Sequence, residues 1–261
     1  MIKVGFIGAG NMGGSIARSA YSTKKCEIYV YDKDEEKAKA LCDMTNGILT
    51  DVNKAVSECD IVFLATKPNI LPYVADEINT PIKCTLISMA AGVSLEKLSE
   101  LFGQNIPIIR IMPNTPVLVG MGVMVYCKNA CVTKKGLDSF LSSTSCAGLV
   151  EEIEEEKIDA ETAVAGCGPA FVYMFASALA EGGIRAGLSE DAAIKYAAAT
   201  IKGAGEMLLR DTRTPEELCR AVCSPGGSTI EGVNALRAAG FDKTVSDAVM
   251  TSFLKTQKLG K

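Results

Sequence analysis

Three stretches of this chain hold residue types whose spacing can do chemistry. The first, Gly8-Ala9-Gly10-Asn11-Met12-Gly13, follows an apolar run and opens a helical pattern. In a strand–turn–helix setting such a turn cradles the pyrophosphate of a dinucleotide. Gly8 permits the tight turn, Gly10 lets backbone approach the phosphates, and Gly13 lets the helix pack close to the sheet. The anion then rests on free N–H groups at the helix start. The second stretch, Tyr31-Asp32-Lys33-Asp34, ends the next strand. An acid there takes the ribose hydroxyls of NAD and repels the 2′-phosphate of NADP. Asp32 or Asp34 equally suits a cap for the helix that follows, and Lys33 suits a 2′-phosphate, so the cofactor stays open between NADH and NADPH. The third stretch is Ser224-Pro225-Gly226-Gly227-Ser228-Thr229. At a helix start it offers exposed N–H groups to a carboxylate. It also serves as a plain turn into a helix, with Pro and Gly for shape and Ser or Thr as caps.

Composition narrows the chemistry. Histidine is absent, which excludes Ser-His-Asp and Cys-His nucleophile systems and every His-ligated metal site. Proton transfer falls to carboxylate, Lys, Tyr, hydroxyl, thiol or water. No metal site is expected. The formal net charge of −4 carries no footprint for nucleic acid. Ten cysteines in 261 residues are too sparse for a disulfide scaffold and include no CxxC pair; reduced thiols acting as small hydrophobes are expected. The first ten residues lack a long apolar region and a cleavage signal. No stretch of apolar residues long enough to span a membrane is read from the sequence. A cytoplasmic protein with no membrane partner is the expectation.

The elements that must position these residues come in two styles. Apolar runs at 3–7, 27–31, 61–65, 86–90, 108–112, 123–126 and 149–153 alternate with helical patterns. Strand–helix alternation with short connections implies right-handed βαβ units. Continuous apolar strands imply a sheet covered on both faces. The expected fold class is α/β: a Rossmann-like doubly wound, mainly parallel sheet over residues 1–155. The acidic run 151–156 reads as a solvated connector. Residues 156–261 show no strand and much Ala, and read as a smaller all-helical domain. Thr214-Pro215-Glu216-Glu217 there has the form of a capping box.

Other strand ends carry Ala65-Thr66-Lys67-Pro68, Ser88-Met89-Ala90-Ala91-Gly92-Val93 and Arg110-Ile111-Met112-Pro113-Asn114-Thr115-Pro116. With Ala165-Gly166-Cys167-Gly168-Pro169-Ala170-Phe171 and the Ser224–Thr229 stretch, they resemble the pyrroline-5-carboxylate reductase family across essentially the whole chain. That resemblance implies reduction of L-1-pyrroline-5-carboxylate to L-proline with NADPH or NADH. It implies that Gly8, Ala9, Gly10, Asn11, Met12 and Gly13 hold the pyrophosphate, and Asn53 the adenosine side with Asp32. Ala65, Thr66, Lys67, Pro68, Ala90, Ala91 and Gly92 would line the nicotinamide half. Ser224, Gly226, Gly227, Ser228 and Thr229 would hold the substrate, with Thr229 as the catalytic hydroxyl at the imine nitrogen. Glu155 matches a position that approaches the substrate in relatives. Two departures stand out: Asp32 replaces a small or neutral residue, and Ala221 stands where relatives place Asn. The family also implies a homodimer through the helical domain, with dimers joined into larger rings.

The chemistry agrees with this. A protonated imine accepts hydride readily and a small iminium takes its proton from water, so no histidine is needed; what remains is positioning. Lys67 gains no chemical role from this reading, and Arg110 and Asn114 hold their loop. The rival readings are another two-domain imine or 3-hydroxyacid reductase, which would need Lys195 or Lys202 as acid/base, and an NAD(P)-binding regulator without turnover.

Overall fold

The run Ile61-Val62-Phe63-Leu64 is fully buried at every position, as a strand covered on both faces must be. The computed structural model of the chain describes residues 1–259. Eight strands form one sheet: β1 (Ile2–Ile7), β2 (Cys26–Tyr31), β3 (Ile48–Leu49), β4 (Ile61–Leu64), β5 (Thr85–Ser88), β6 (Ile108–Pro113), β7 (Gly122–Lys128) and β8 (Gly148–Glu152). Their order is β3-β2-β1-β4-β5-β6-β7-β8. All neighbours run parallel except β6 and β7. The doubly wound, mainly parallel sheet is thus as the residue pattern implied. The two-residue β3 is too short to leave a periodic signal, and both its side chains are exposed.

The helices are α1 (Asn11–Ser22), α2 (Glu35–Thr45), α3 (Val52–Glu58), α4 (Leu71–Glu77), α5 (Leu95–Phe102), α6 (Lys134–Ser143), α7 (Ile158–Glu161), α8 (Gly168–Arg185), α9 (Glu190–Arg210), α10 (Pro215–Ala221), α11 (Ser228–Ala238) and α12 (Phe241–Leu259). Alternate residues of β4 serve two cores. Ile61 and Phe63 join Ile16 and Ala17 of α1, Leu41 of α2 and Phe140 of α6. Val62 and Leu64 join Val52 and Val56 of α3, Leu71 of α4 and Leu98 of α5. Phe6 and Phe63 stack with ring centroids 4.8 Å apart. Aromatic pairing of this kind adds about 0.5–1.5 kcal/mol beyond burial.

Two compact units are present: Met1–Cys167 with the segment from Ser252 onward, and Gly168–Thr251. In the second, Ala180 of α8 and Ala193 and Ala197 of α9 form the buried cluster, while Tyr173, Met174, Ile194 and Leu209 stay exposed. The capping box at Thr214 is present in full, Glu217 Oε2 accepting from the Thr214 N–H at 2.8 Å.

Two expectations need correction. The acidic run is solvated but is not a connector throughout. Glu151 and Glu152 belong to β8 and pair with Val125 and Tyr126, because an edge strand needs only its backbone for the ladder and tolerates exposed carboxylates. By length and composition alone the helical stretch Glu155–Arg185 is apolar enough to cross a membrane, although Gly, Ser, Thr and Pro interrupt its apolar residues.

Beyond α7 the chain makes a π turn over Thr162–Gly166. Both carboxylate oxygens of Glu161 are buried there without a hydrogen-bond partner, and burial pushes its pKa up to about 7. An unfolded Glu ionises near about 4.3. Between those values the folded chain binds more protons than the unfolded one, so this group's contribution falls as pH rises through that window. Glu161→Gln, which cannot ionise, is expected to melt higher than the wild type at about pH 8 and no higher at about pH 4.5. Thermal melts at the two pH values check this.

Candidate active site

Strand order reverses between β1 and β4, and open α/β sheets bind ligands in the crevice beyond the carboxyl ends at such a point. The register Ile7↔Leu64 sets Gly8 beside Ala65. Gly8 has φ +108°, and a Cβ there would stand 2.5 Å from the Ala65 carbonyl oxygen. At Gly13 a Cβ would stand 2.5 Å from the Gly8 carbonyl oxygen and 2.7 Å from Ala65 Cβ. At Gly10, by contrast, a Cβ would meet nothing within 4 Å. Two glycines are therefore demanded by the protein's own packing, and the third faces open space. No side chain caps α1, whose N-cap is Gly10, so its first-turn N–H groups remain for a ligand.

Asp32 fastens this turn to β2. Its Oδ2 accepts the Ala9 N–H at 2.6 Å and its Oδ1 accepts the Asp34 N–H at 2.8 Å. Asp34, not Asp32, caps α2, accepting from the Lys37 N–H. Each Asp32 oxygen keeps a lone pair for a hydroxyl.

Around the turn lies a cleft of about 610 Å³, bounded by Gly8, Gly10, Asp32, Lys33, Ala65 and Thr66 and walled by Tyr31, Ile70, Tyr73, Val74 and Glu77. A smaller pocket of about 290 Å³ shares Ala65 and Thr66 and adds Met12, Lys67, Met89, Met112 and Pro113. The Thr66 hydroxyl is buried without a partner. Pro68 opens the 3-10 turn that follows, with Lys67 as its N-cap. An uncapped helix start, open space at Gly10 and an orphaned hydroxyl between two pockets fit an extended dinucleotide.

The structure gathers most of the expected cofactor residues here and sets others one layer away. The Asn53 side chain donates to the Glu77 carbonyl at 3.2 Å and accepts the Asn79 N–H at 2.9 Å, buttressing the helix that walls the cleft. Ala90, Ala91 and Gly92 form a turn beyond β5, with the Ala90 N–H donating to Ser88 Oγ at 3.3 Å and Gly92 at φ +74°. Asn114 holds its loop as expected: Nδ2 donates to the Ala165 carbonyl and Oδ1 accepts the Val123 N–H. Met89 and Met112 lie in the strand-end stretches singled out by the sequence, whereas nothing in the sequence singled out Ile70 and Tyr73, since an apolar residue lining a cleft has the same local pattern as one in a core.

In the second unit, Ser224, Gly226, Gly227, Ser228 and Thr229 come together in one turn. The Gly227 N–H donates to the Ser224 carbonyl at 3.0 Å, and Gly226 has φ +71°. Gly227 is the N-cap of α11 and no side chain caps that helix. Thr229 is exposed.

Comparison with known proteins bears on this geometry. Residues 3–92 match the family model described as NADP oxidoreductase, coenzyme F420-dependent, and residues 155–259 match pyrroline-5-carboxylate reductase dimerisation. The pyrroline-5-carboxylate reductase of Escherichia coli is 36% identical over 99% of this chain and 98% of its own. The chain belongs to the pyrroline-5-carboxylate reductase family. The Aquifex aeolicus member of that family is also 36% identical, over 99% of this chain. The crystal structure of Plasmodium falciparum pyrroline carboxylate reductase with NADP bound aligns at TM-score 0.89 and 32% identity, covering 100% of this chain and 98% of that one. This reductase is thus an NAD(P)H-dependent oxidoreductase, with a dimerisation region that makes it a subunit of a homo-oligomer. Lys195 and Lys202, which a hydroxyacid reductase would need, lie exposed on α9.

Gly10 and Gly13 are expected to respond differently. Gly10→Ala leaves the melting temperature unchanged but weakens NADPH binding by about tenfold or more, because the methyl occupies the phosphate's space. Gly13→Ala destabilises the fold by about 1–3 kcal/mol. Melting curves and titration of reduced-nicotinamide fluorescence separate the two effects.

Proposed function

We propose that this reductase transfers hydride from NAD(P)H to the C=N carbon of L-1-pyrroline-5-carboxylate, giving L-proline, the last step of proline biosynthesis. The observation that carries the reading is the glycine cradle at the β1–β4 crevice in a chain that matches this family along its whole length. When bound, the nicotinamide supplies the hydride; the protein supplies place and orientation. Residues 8–13 hold the pyrophosphate through the start of α1, and Asp32 and Asn53 serve the adenosine side, Asn53 through the helix it buttresses. Ala65–Pro68 and the turn of Ala90, Ala91 and Gly92 serve the nicotinamide half. The uncapped start of α11, with Ser224, Gly226, Gly227 and Ser228, receives the substrate carboxylate, and the Thr229 hydroxyl hydrogen-bonds the imine nitrogen. The proton that completes the amine comes from water, in keeping with a chain without histidine.

We assign residues 1–155 to cofactor binding and 156–261 to substrate binding and dimerisation; the family-model match over 155–259 supports the second. A cytoplasmic homodimer, with dimers joined into a ring, completes the proposal. The proposal includes no nucleic-acid or membrane partner, and the apolar stretch Glu155–Arg185 is read as part of the dimerisation region that its family-model match supports.

Absorbance of the reduced cofactor is expected to fall when pyrroline-5-carboxylate is added to enzyme and NADPH; a flat trace with folded protein rejects the assignment. Thr229→Ala is expected to lower kcat/KM for the imine by about tenfold or more, the effect of losing one positioned hydrogen bond in the transition state. Wild-type kinetics in that variant would remove Thr229 from the mechanism. Asp32 is expected to tilt the enzyme toward NADH, and Asp32→Ser to raise the ratio of kcat/KM for NADPH over NADH.

A further inference from the structure

Arg110 sits in the middle of β6, between Ile109 and Ile111, and is only 5% exposed. A guanidinium in that position stands only if its charge is met. Its Nη1 donates to Glu155 Oε1 at 2.8 Å, and Nη2 lies 3.7 Å from Asp159 Oδ1. The same Glu155 oxygen accepts the backbone N–H of Leu95 at 2.8 Å. Leu95 is the first residue of α5, after its Ser94 cap. One carboxylate oxygen thus joins the centre of β6, the start of α5 and the segment leading into α7.

Both neighbours of this junction touch the cofactor side. Leu95 follows Gly92 by three residues, and Ala91 and Leu95 pack on Met112 and Ile158 in one small cluster. Met112, two residues beyond Arg110, lines the smaller pocket with Lys67 and Met89. Leu95 thus lies three residues from the turn of residues 90–92, and Arg110 lies two residues from Met112 on the same strand.

We infer that the buried Arg110 and the part-exposed Glu155 form a clamp that positions the nicotinamide side of the site, and that Glu155 acts there rather than as a substrate ligand. The inference rests on the proposed assignment of residues 90–92 and Met112 to the nicotinamide half. Because Arg110 is the buried partner, removing Glu155 strands its charge, whereas removing both groups relieves it. That sign pattern distinguishes a clamp from two independent contacts.

The experiment compares Glu155→Ala, Glu155→Gln, Glu155→Asp, Arg110→Met and the Arg110→Met/Glu155→Gln double variant. NADPH affinity is read directly by reduced-nicotinamide fluorescence. KM for each substrate, kcat and melting temperature are measured alongside. Glu155→Ala and Arg110→Met are expected to weaken NADPH binding by about fivefold or more while KM for pyrroline-5-carboxylate changes by less than about twofold. Glu155→Gln, which keeps an oxygen for the Leu95 N–H, is expected to recover part of that loss, and the double variant to bind NADPH more tightly than Glu155→Gln alone. Where Glu155→Ala does not fold, Glu155→Asp carries the test, since it keeps the charge but loses the reach to both partners. A rise in KM for the imine with NADPH affinity unchanged overturns the inference in favour of a substrate ligand. A lower melting temperature with both affinities unchanged overturns it in favour of a purely structural pair. Wild-type protein that binds NADPH but reduces no pyrroline-5-carboxylate would defeat the proposed reaction and leave this binding test readable.

Discussion

The structure depends on how closely three backbones meet at one point. The turn after β1, the first turn of α1 and the end of β4 converge so tightly that a methyl group on Gly8 or Gly13 would lie 2.5 Å from a carbonyl oxygen. That proximity seats the start of α1 at the sheet's reversal point, and the helix N–H groups then face the crevice. Parallel pairing of β1 and β4 sets the register, and the stacked Phe6 and Phe63 rings, one from each strand, hold it from below. Asp32 closes the arrangement by binding the Ala9 N–H from β2's end. The cleft is the space left over once these contacts are made.

The remaining ionisable groups are arranged for stability more than for proton transfer. Burial pushes the thiols of Cys59, Cys84 and Cys127 up to about 12, so they behave as small apolar side chains. Five of the ten cysteines are buried and all ten are free. Arg110 is paired with Glu155 inside the sheet; Glu161 is the exception, buried with no partner and costing stability as it ionises. A hydride transfer to an iminium asks little of acid–base groups and much of geometry, and a chain with no histidine suits that division.

The second unit solves a different problem. Its buried cluster consists of three alanines, and the large apolar residues of α8 and α9 lie on the surface. Small residues let the two helices approach closely, and the aromatic and aliphatic side chains turned outward supply the area that association needs. A homo-oligomer is the natural resolution, in agreement with the dimerisation family model.

Local features were legible from residues alone, because their causes lie within a few positions. The glycine turn, the Thr214 cap and the run of buried strands all follow from backbone freedom, capping and periodicity. The sequence by itself therefore determined the sheet class, the helical second half and the two turns that carry the chemistry. Only the tertiary structure decided which side chains meet across elements. Asp32 bonds the glycine turn while Asp34 caps α2, Asn53 supports the cleft wall, and Glu155 engages Arg110 and Leu95. Each of these outcomes depends on strand order and register, which bring together residues 23 to 60 positions apart. Side-chain identity alone cannot choose among equally good hydrogen-bond partners at that separation; the packed sheet makes the choice.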